Sequence, residues 1–503
     1  MNAAIHAFDE SGIERGADGI ARYINRPRSL VDMLRNSVDK FPNAEAVVEV
    51  GGARLSFSDL WESAARTAGG LRAMGIERED RVAIRLGNSA DWCIAFWATQ
   101  MAGSVAVPVN TRFTESEVEY VVNDSGSRFS FLPGQPLPKG NSLVVDDLKY
   151  TDVAAIFYTS GTTGFPKGAM TTHEGFLSNI ETCRRVSLLP FDGSTRTLVS
   201  VPLFHVTGCN SQFLVACEAG GTTVIMPVFN VQSFLKLIEA ERVNTLTSVP
   251  AVYWLAINQP NFGEIDTKDI IRVSYGGAPI APELVGRIIE AFPNARVGNG
   301  FGLTECSSVA TFLPHEYARS RPETVGFAAP VVDLKLDGIA PGSDVGELLM
   351  RGPNVVKGYW NKPEATAETF AGGWLRTGDM ARLDDQGFVQ IVDRKKDMVN
   401  RGGENVYCVE VENALAAHPA VFEVAVVGVP DKMMGEKVGA AVVLKPGASA
   451  DTAELLKFAK EHLADFKVPQ FLVLRAENLP RNPGGKILKK HLRENLEWGK
   501  QLW

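Results

Sequence analysis

The sequence predicts an α/β protein: a large N-terminal domain of layered, largely parallel sheets, a β-rich subunit after it, and a small C-terminal α+β domain. Three observations carry that expectation. At 503 residues the chain exceeds what one ordinary core serves, so two or more structural units follow. Short apolar β-type runs alternate with segments of helical periodicity through about residue 335, which is how layered sheets with crossover helices read. After "GFVQIVDRKKDMVNRGGENVY" the texture changes to helix, two strands and helix within about 110 residues, the size of a small domain.

The elements follow in order. Residues 1–28 are polar and patternless, a loosely held lead-in. "SLVDMLRNSVDKFP" and "FSDLWESAARTAGGLRAMG" carry apolar residues at helical spacing. "DRVAIRLG" and "SVAVPVN" are strand-like, with the apolar "DWCIAFWATQMAG" between them. Ser130 to Lys149 is a Pro/Gly-rich connection. "VGELLMRGPNVVKGYW" begins the β-rich subunit. In the last part "VEVENALAAHP" and "TAELLKFAKEHLADF" are helices, while "VFEVAVVGVP" and "VGAAVVLKP" are strands.

Composition excludes several functions. With 45% hydrophobic and 22% charged residues the chain reads as a soluble globular protein. A net charge of −8 argues against nucleic acid as a partner, since a phosphate backbone favours a basic face. No apolar run is long enough for a transmembrane segment, and "MNAAIHAFDESG" lacks the order of a signal peptide, so the expected location is cytoplasmic. Cys93, Cys183, Cys209, Cys217, Cys306 and Cys408 are scattered and read as reduced core thiols. The dispersed histidines argue against a zinc site.

The chemistry begins at Tyr158–Gly168, "YTSGTTGFPKG". Glycines let backbone N–H groups approach an anion, and the hydroxyls and Lys167 add donors, so this loop reads as a phosphate cradle leaving a buried strand. Its offsets do not fit G-x-x-x-x-G-K-[ST], and Gly298–Gly300–Gly302 is not a dinucleotide fingerprint. Four further islands share its character. "GFGLTE" ends in Thr304 and Glu305, "GGWLRTGD" in Asp379, "VDRKKDMVNRGGENVY" gathers charges around a glycine pair, and "LPRNPGGKILK" presents Lys486.

In this order, together with "PLFHVTG", "YGGAPI" and "GELLMRGPNVVKGYW", the islands resemble the adenylate-forming superfamily of acyl-CoA synthetases, beetle luciferases and adenylation domains, over residues 29–495. The resemblance implies an N-terminal domain over 29–395 and a mobile C-terminal domain over 396–503, hinged at Lys396. It implies an AMP-forming acid–thiol ligase: carboxylate and ATP give acyl-adenylate and pyrophosphate, and CoA then takes the acyl group. ATP, Mg²⁺ and CoA follow as cofactors or co-substrates, a carboxylic acid as the other partner, and a homodimer is left open.

The residues acquire roles by the same resemblance. Lys486 would bridge carboxylate and α-phosphate, and Thr159, Ser160, Gly161, Thr162, Thr163, Gly164 and Lys167 would cradle the leaving phosphates. Thr304 would touch the α-phosphate; Glu305, with Thr159, would hold the metal. Asp379 and Arg394 would meet the ribose. Gly276, Gly277, Ala278, Gly300, Phe301, Gly302 and Leu303 would form the slot for adenine and acyl head. Gly402, Gly403, Glu404 and Asn405 resemble the loop that meets CoA. His205, Gly208, Cys209, Tyr253, Trp254 and Gly277 would surround the acyl group.

Two departures stand out. Phe301 replaces the usual Tyr, which keeps stacking but loses a phenol hydrogen bond. Cys408 replaces the usual Pro, as a small buried thiol rather than a nucleophile. Phe229–Asn230 lacks the aspartate that pairs an amino-acid ammonium, which weakens an amino-acid substrate. Apart from His205, the acyl segments hold no acidic or basic residue, so an apolar monocarboxylate is expected. Tyr253 and Trp254 would shorten the pocket to a short-to-medium-chain fatty acid. An aryl-acid CoA ligase, an enzyme loading a separate carrier protein, and a non-enzymatic nucleotide sensor are the alternatives.

Overall fold

The computed structural model describes residues 7–159, 166–402, 404–481 and 487–503. Two sheets make the large part. One has five strands in the order Phe129–Phe131, Arg81–Ile84, Val105–Pro108, Val153–Thr159, Lys167–Thr172, parallel except for the last pair. The other has nine, and its inner strands Arg296–Phe301, Arg272–Gly276, Thr245–Ser248, Arg196–Val199, Thr222–Ile225 and Glu45–Glu49 pair in parallel.

Helices fill the space between these sheets. Ala90–Met101 is buried at every position but Asp91, which is why it reads as apolar all round rather than amphipathic. Its Trp92, Phe96 and Trp97 meet Phe213 and Phe176 at centroid distances of 6.0 to 6.4 Å. The nine-stranded sheet is covered on both faces, so neighbouring residues serve different cores: Val47, Val199 and Ile225 face this helix layer, while Val48, Leu198 and Val224 face helices Val231–Ala240, Pro250–Ile257 and Pro282–Ala291. That two-sided burial gives the strands their unbroken apolar runs. Asn230 caps the first of those outer helices, accepting from the Ser233 N–H at 2.9 Å.

The connection after Phe131 lies across helix Phe57–Ala73. A Cβ on Gly69 would sit 1.7 Å from the Asn141 carbonyl oxygen, so only glycine lets the segment approach. The lead-in differs from its expectation. Ile13–Arg15 and Ala21–Tyr23 form a hairpin, Tyr23 is buried with its hydroxyl 2.9 Å from Thr182 Oγ1, and Arg26 pairs with Glu174 at 2.7 Å. Two apolar residues and long-range ion pairs dock a segment that has no periodicity of its own.

The β-rich subunit is an antiparallel sheet of Asp333–Asp337, Gly346–Arg351, Leu375–Leu383 and Val389–Arg394. A separate five-stranded sheet follows, built on the long hairpin Val421–Asp431 and Gly435–Leu444, with helices Cys408–Ala416, Thr452–His462 and Lys489–Asn495 and a core of its own. All six cysteines are free and buried.

Candidate active site

One cleft of about 860 Å³ runs along the nine-stranded sheet, and its mouth lies at the carboxyl ends of the parallel strands, where such sheets leave a crevice. Strand alternation builds its floor. Thr197, Thr245, Thr247, Arg272, Ser274, Gly276 and Gly300 line it, while the intervening Leu198, Leu246 and Val273 point into the other core. A Cβ on Gly276 would lie 2.1 Å from the Gly300 carbonyl oxygen, and Gly277 has φ +75°. The slot between these strands therefore needs glycine on both counts.

At the mouth the antiparallel register sets Thr159 opposite Lys167, one on each side of the segment 160–165. The chain around Tyr359 runs alongside strand Lys167–Thr172, with the Met170 N–H donating to the Gly358 oxygen at 2.9 Å and the Trp360 N–H to the Gly168 oxygen at 2.8 Å. That places the Lys167 ammonium 5.2 Å from the Tyr359 ring centroid. The Tyr359 hydroxyl donates to Glu305 Oε1 at 2.8 Å. Thr304 and Glu305 sit on a short 3₁₀ turn directly after strand Arg296–Phe301, and the Val356 N–H holds the Glu305 carbonyl at 3.0 Å. Lys167, Thr159, Thr304 and Glu305 thus converge on one end of the cleft. Among the described residues no group of three His, Cys, Asp or Glu side chains could hold a metal. One carboxylate and one hydroxyl suit Mg²⁺, which takes its other oxygens from water and phosphate.

Asp379 and Arg394 face each other across strands, their side chains 2.7 Å apart. Arg394 lines the cleft with Lys395 and Lys396, whereas Asp379, 2% exposed, stands behind it. Burial lowers the Lys396 pKa below the ordinary lysine value. His205 lines the middle of the cleft; burial, with Arg112 nearby, pushes its pKa down to about 4. It is therefore a neutral imidazole at physiological pH.

Several expected residues stand elsewhere. Tyr253 is fully buried in the outer layer, its hydroxyl donating to the Ser274 carbonyl at 2.8 Å and its ring against Phe292. Trp254, one residue on, packs on Phe422 of the C-terminal sheet at 4.6 Å. Successive residues on a helix diverge by about 100°, so neither walls the cleft. Gly208 and Cys209 are buried behind it, and a Cβ on Gly208 would strike the Pro202 carbonyl at 2.4 Å. Phe301 lies between Gly300 and Gly302, which face the slot, and packs instead on the core of the β-rich subunit; stacking on adenine is not its position here. Ala278 follows Gly277 outside the lining. Gly402, Glu404 and Asn405 belong to the hairpin Val399–Arg401 and Glu404–Val406, outside the cleft lining, and all three are exposed. Ser160, Gly161, Thr162, Thr163, Gly164, Gly403 and Lys486 lie outside the described residues.

Sequence reasoning passed over Tyr359, which stands in the quoted "KGYW", and Glu347, which joins Arg376 at 2.8 Å and Lys395 at 3.0 Å beside the cleft. It also passed over Arg272 and Gln212 at the inner end. The period-2 face Arg272–Ser274–Gly276 was the signal for the first of these.

Comparison with known proteins identifies the family. The AMP-binding enzyme family matches residues 34–147 and 134–360, and the AMP-binding enzyme C-terminal domain matches residues 410–486. The long-chain-fatty-acid–CoA ligase FadD13 of Mycobacterium tuberculosis is 35% identical, covering 92% of this chain and 97% of its own. A feruloyl-CoA synthase of a Streptomyces species is also 35% identical, over 90% and 96%. The crystal structure of ATP-bound MatB from Rhodopseudomonas palustris superposes with a TM-score of 0.84 at 30% identity, over 92% and 98%. A glycine slot at the strand ends, a convergent lysine and carboxylate, and matches across both parts of the chain lead to one conclusion: this protein belongs to the AMP-binding enzymes of the adenylate-forming superfamily, as an AMP-forming acyl-CoA ligase.

Proposed function

We propose that the enzyme activates a medium-chain carboxylic acid with ATP and Mg²⁺ and transfers the acyl group to CoA. The observation that carries this reading is the continuity of the cleft, from Lys167 and Glu305 past Gly276 and His205 to Arg272. From Gly276 back to Arg272 the strand takes four steps, roughly 13 Å, which an extended chain of about ten carbons would fill. With Tyr253 and Trp254 outside the wall, nothing in the cleft favours a short acid. A second reading, an aryl acid, finds support in the feruloyl-CoA synthase among the relatives.

A carboxylate attacks an anionic phosphate only when both are held in line and their charges are countered. Lys167 would meet the β,γ-phosphates and Lys486 the reacting carboxylate and α-phosphate. Tyr359 holds one oxygen of Glu305, which leaves the other aimed for a cation, and Thr159 adds a hydroxyl. Mg²⁺ would supply charge neutralisation at the leaving phosphates. Thr304 would contact the α-phosphate, and Arg394 would orient the ribose with Asp379 fixed behind it. The neutral His205 can border a hydrocarbon without burying a charge. Rotation of residues 396–503 about Lys396 would bring Gly402–Asn405 to the cleft for the thiol step, since hinge residues need backbone freedom more than a given side chain.

Pyrophosphate release with decanoate, cinnamate and butyrate, measured with and without CoA, tests the reading. Decanoate should release pyrophosphate slowly alone and turn over fully with CoA. Lys486→Ala should lower adenylation roughly a thousandfold while thioester formation from supplied acyl-adenylate persists. Release that ignores CoA, or requires a carrier protein, would overturn the CoA assignment.

A further inference from the structure

The end of the cleft at the start of strand Arg272–Gly276 sets a cation among apolar side chains. Arg272 opens strand Arg272–Gly276 and lines the cleft there with Ser187, Leu189 and Thr195. Its Nε donates to the Ser187 carbonyl at 2.6 Å and its Nη2 to the Leu188 carbonyl, at the C-terminal turn of helix His173–Ser187. These two bonds occupy one edge of the guanidinium fork; among the described residues Nη1 has no hydrogen-bond partner. Among the described residues no carboxylate pairs with it; burial first, then Arg296, lower its pKa. The cation is half-buried, seated on the carbonyl end of that helix, and lines the cleft.

A second observation lies at the same end of the cleft. Gln212 is 2% exposed; its Nε2 donates to the Leu198 carbonyl at 3.2 Å, while its Oε1 has no partner among the described residues. Part of the hydroxyl row is already satisfied by the protein: Thr195 Oγ1 donates to the Pro190 carbonyl at 3.4 Å and Thr245 Oγ1 to Asn244 Oδ1 at 3.1 Å. Arg272 keeps a donor to spare at Nη1, and Gln212 an acceptor at Oε1 that suits a hydroxyl rather than a carboxylate.

Building on the acyl-CoA ligase reading above, we propose that Arg272 is a specificity-determining residue, and that the preferred acid carries a second oxygen acceptor, a carboxylate or hydroxyl, at the end remote from the reacting carboxylate. A planar guanidinium with one edge fixed by main-chain carbonyls presents its other edge in a defined direction, which suits an oxygen ligand and repels a methyl terminus. The distance along the strand sets the length: the second oxygen belongs about ten carbons from the first.

The test is kcat/KM for CoA ligation of decanoate, decanedioate, hexanoate, hexanedioate and the ω-hydroxy acid of decanoate length. Decanedioate and the ω-hydroxy acid should exceed decanoate at least about tenfold, because a site built for a polar group rejects the analogue lacking it. Hexanedioate, too short to reach, should gain nothing over hexanoate. In Arg272→Met the ratio of decanedioate to decanoate should collapse, and in Arg272→Lys, which keeps charge but not the fork, it should fall part-way. Thermal melting of each variant separates loss of fold from loss of preference, and the wild-type length comparison needs no variant. Equal use of decanoate and decanedioate by the wild type, or an unchanged ratio in a folded Arg272→Met, overturns the inference while leaving the ligase reading intact. If no acid releases pyrophosphate, the ligase reading itself fails and this inference falls with it.

Discussion

Tyr359 shows how a single phenol can organise charges of both signs. Its hydroxyl donates to Glu305 while its ring lies under the Lys167 ammonium, so the carboxylate is oriented and the lysine is held near it without a direct ion pair. Burial and the neighbouring Glu305 charge both raise the phenol pKa, which keeps it a donor. Tyr359→Phe retains the ring and removes only the hydrogen bond. A bond to a charged group contributes about 1.5–3 kcal/mol, so kcat/KM for ATP should fall roughly ten- to a hundredfold, with a higher Mg²⁺ requirement and little change in KM for the acid. Unchanged Mg²⁺ dependence in a steady-state titration would show that Glu305 does not depend on this bond. The motif spacing made Lys167, Thr304 and Glu305 legible; Tyr359 was not, because its place beside Lys167 arises from pairing between segments some 190 residues apart, with the Ala169–Tyr359 bridge as the junction.

At the scale of elements, the junction between the β-rich subunit and the C-terminal part turns on Cys408. It is the first residue of helix Cys408–Ala416, where proline is well tolerated because the N–H has no intrahelical partner. Here that N–H donates to Asp393 Oδ2 at 2.5 Å, and the thiol donates to the Asp397 carbonyl at 3.0 Å. Asp393 also accepts from the Arg394 N–H at 2.7 Å. It is 2% exposed, and burial, opposed by Lys489, pushes its pKa up to about 6. The helix start is thereby tied to both sides of the proposed hinge at Lys396, and a proline could make neither bond. Cys408→Pro strips a buried carboxylate of a donor, at about 1–3 kcal/mol, so it should lower the melting temperature and speed proteolysis at residues 395–397. Cys408→Ala, which keeps the N–H, should lie close to wild type. If Pro and Ala variants are cleaved at equal rates, the Asp393 bond does not restrain the junction. The sequence marked Cys408 as a departure, but its consequence needed the fold to bring Asp393 within reach.

At the scale of the whole molecule, Trp254 and Phe422 form a ring contact between the large N-terminal part and the C-terminal sheet. Offset aromatic pairs of this kind contribute about 0.5–1.5 kcal/mol beyond their area, enough to bias one domain orientation against another. Trp254→Ala should change the ratio of adenylation to thioester-formation rates several-fold while leaving the chain-length profile of the acid as it is, because the indole stands outside the cleft. Rates of the two half-reactions measured separately, across butyrate to palmitate, decide this. A shifted chain-length profile would return Trp254 to the acyl wall.

Sequence alone determined what depends on neighbours along the chain. The alternation of short β runs with helical segments, the glycine- and hydroxyl-rich loop after a strand, and the order of the charged islands are all local patterns; they sufficed for the α/β class and the two-part chain and, through their resemblance to the adenylate-forming superfamily, for the ligase chemistry. Tertiary structure decided which way side chains face. Helix phase sent Tyr253 into one core and Trp254 to the C-terminal sheet, and strand alternation turned Phe301 out of the slot and Arg272 into the cleft. Burial docked a lead-in that has no pattern of its own through Tyr23 and Arg26. Orientation of this kind is set by pairing and packing between distant segments, where a shift of one residue reverses the exposed face, and no stretch of the chain records its distant partners.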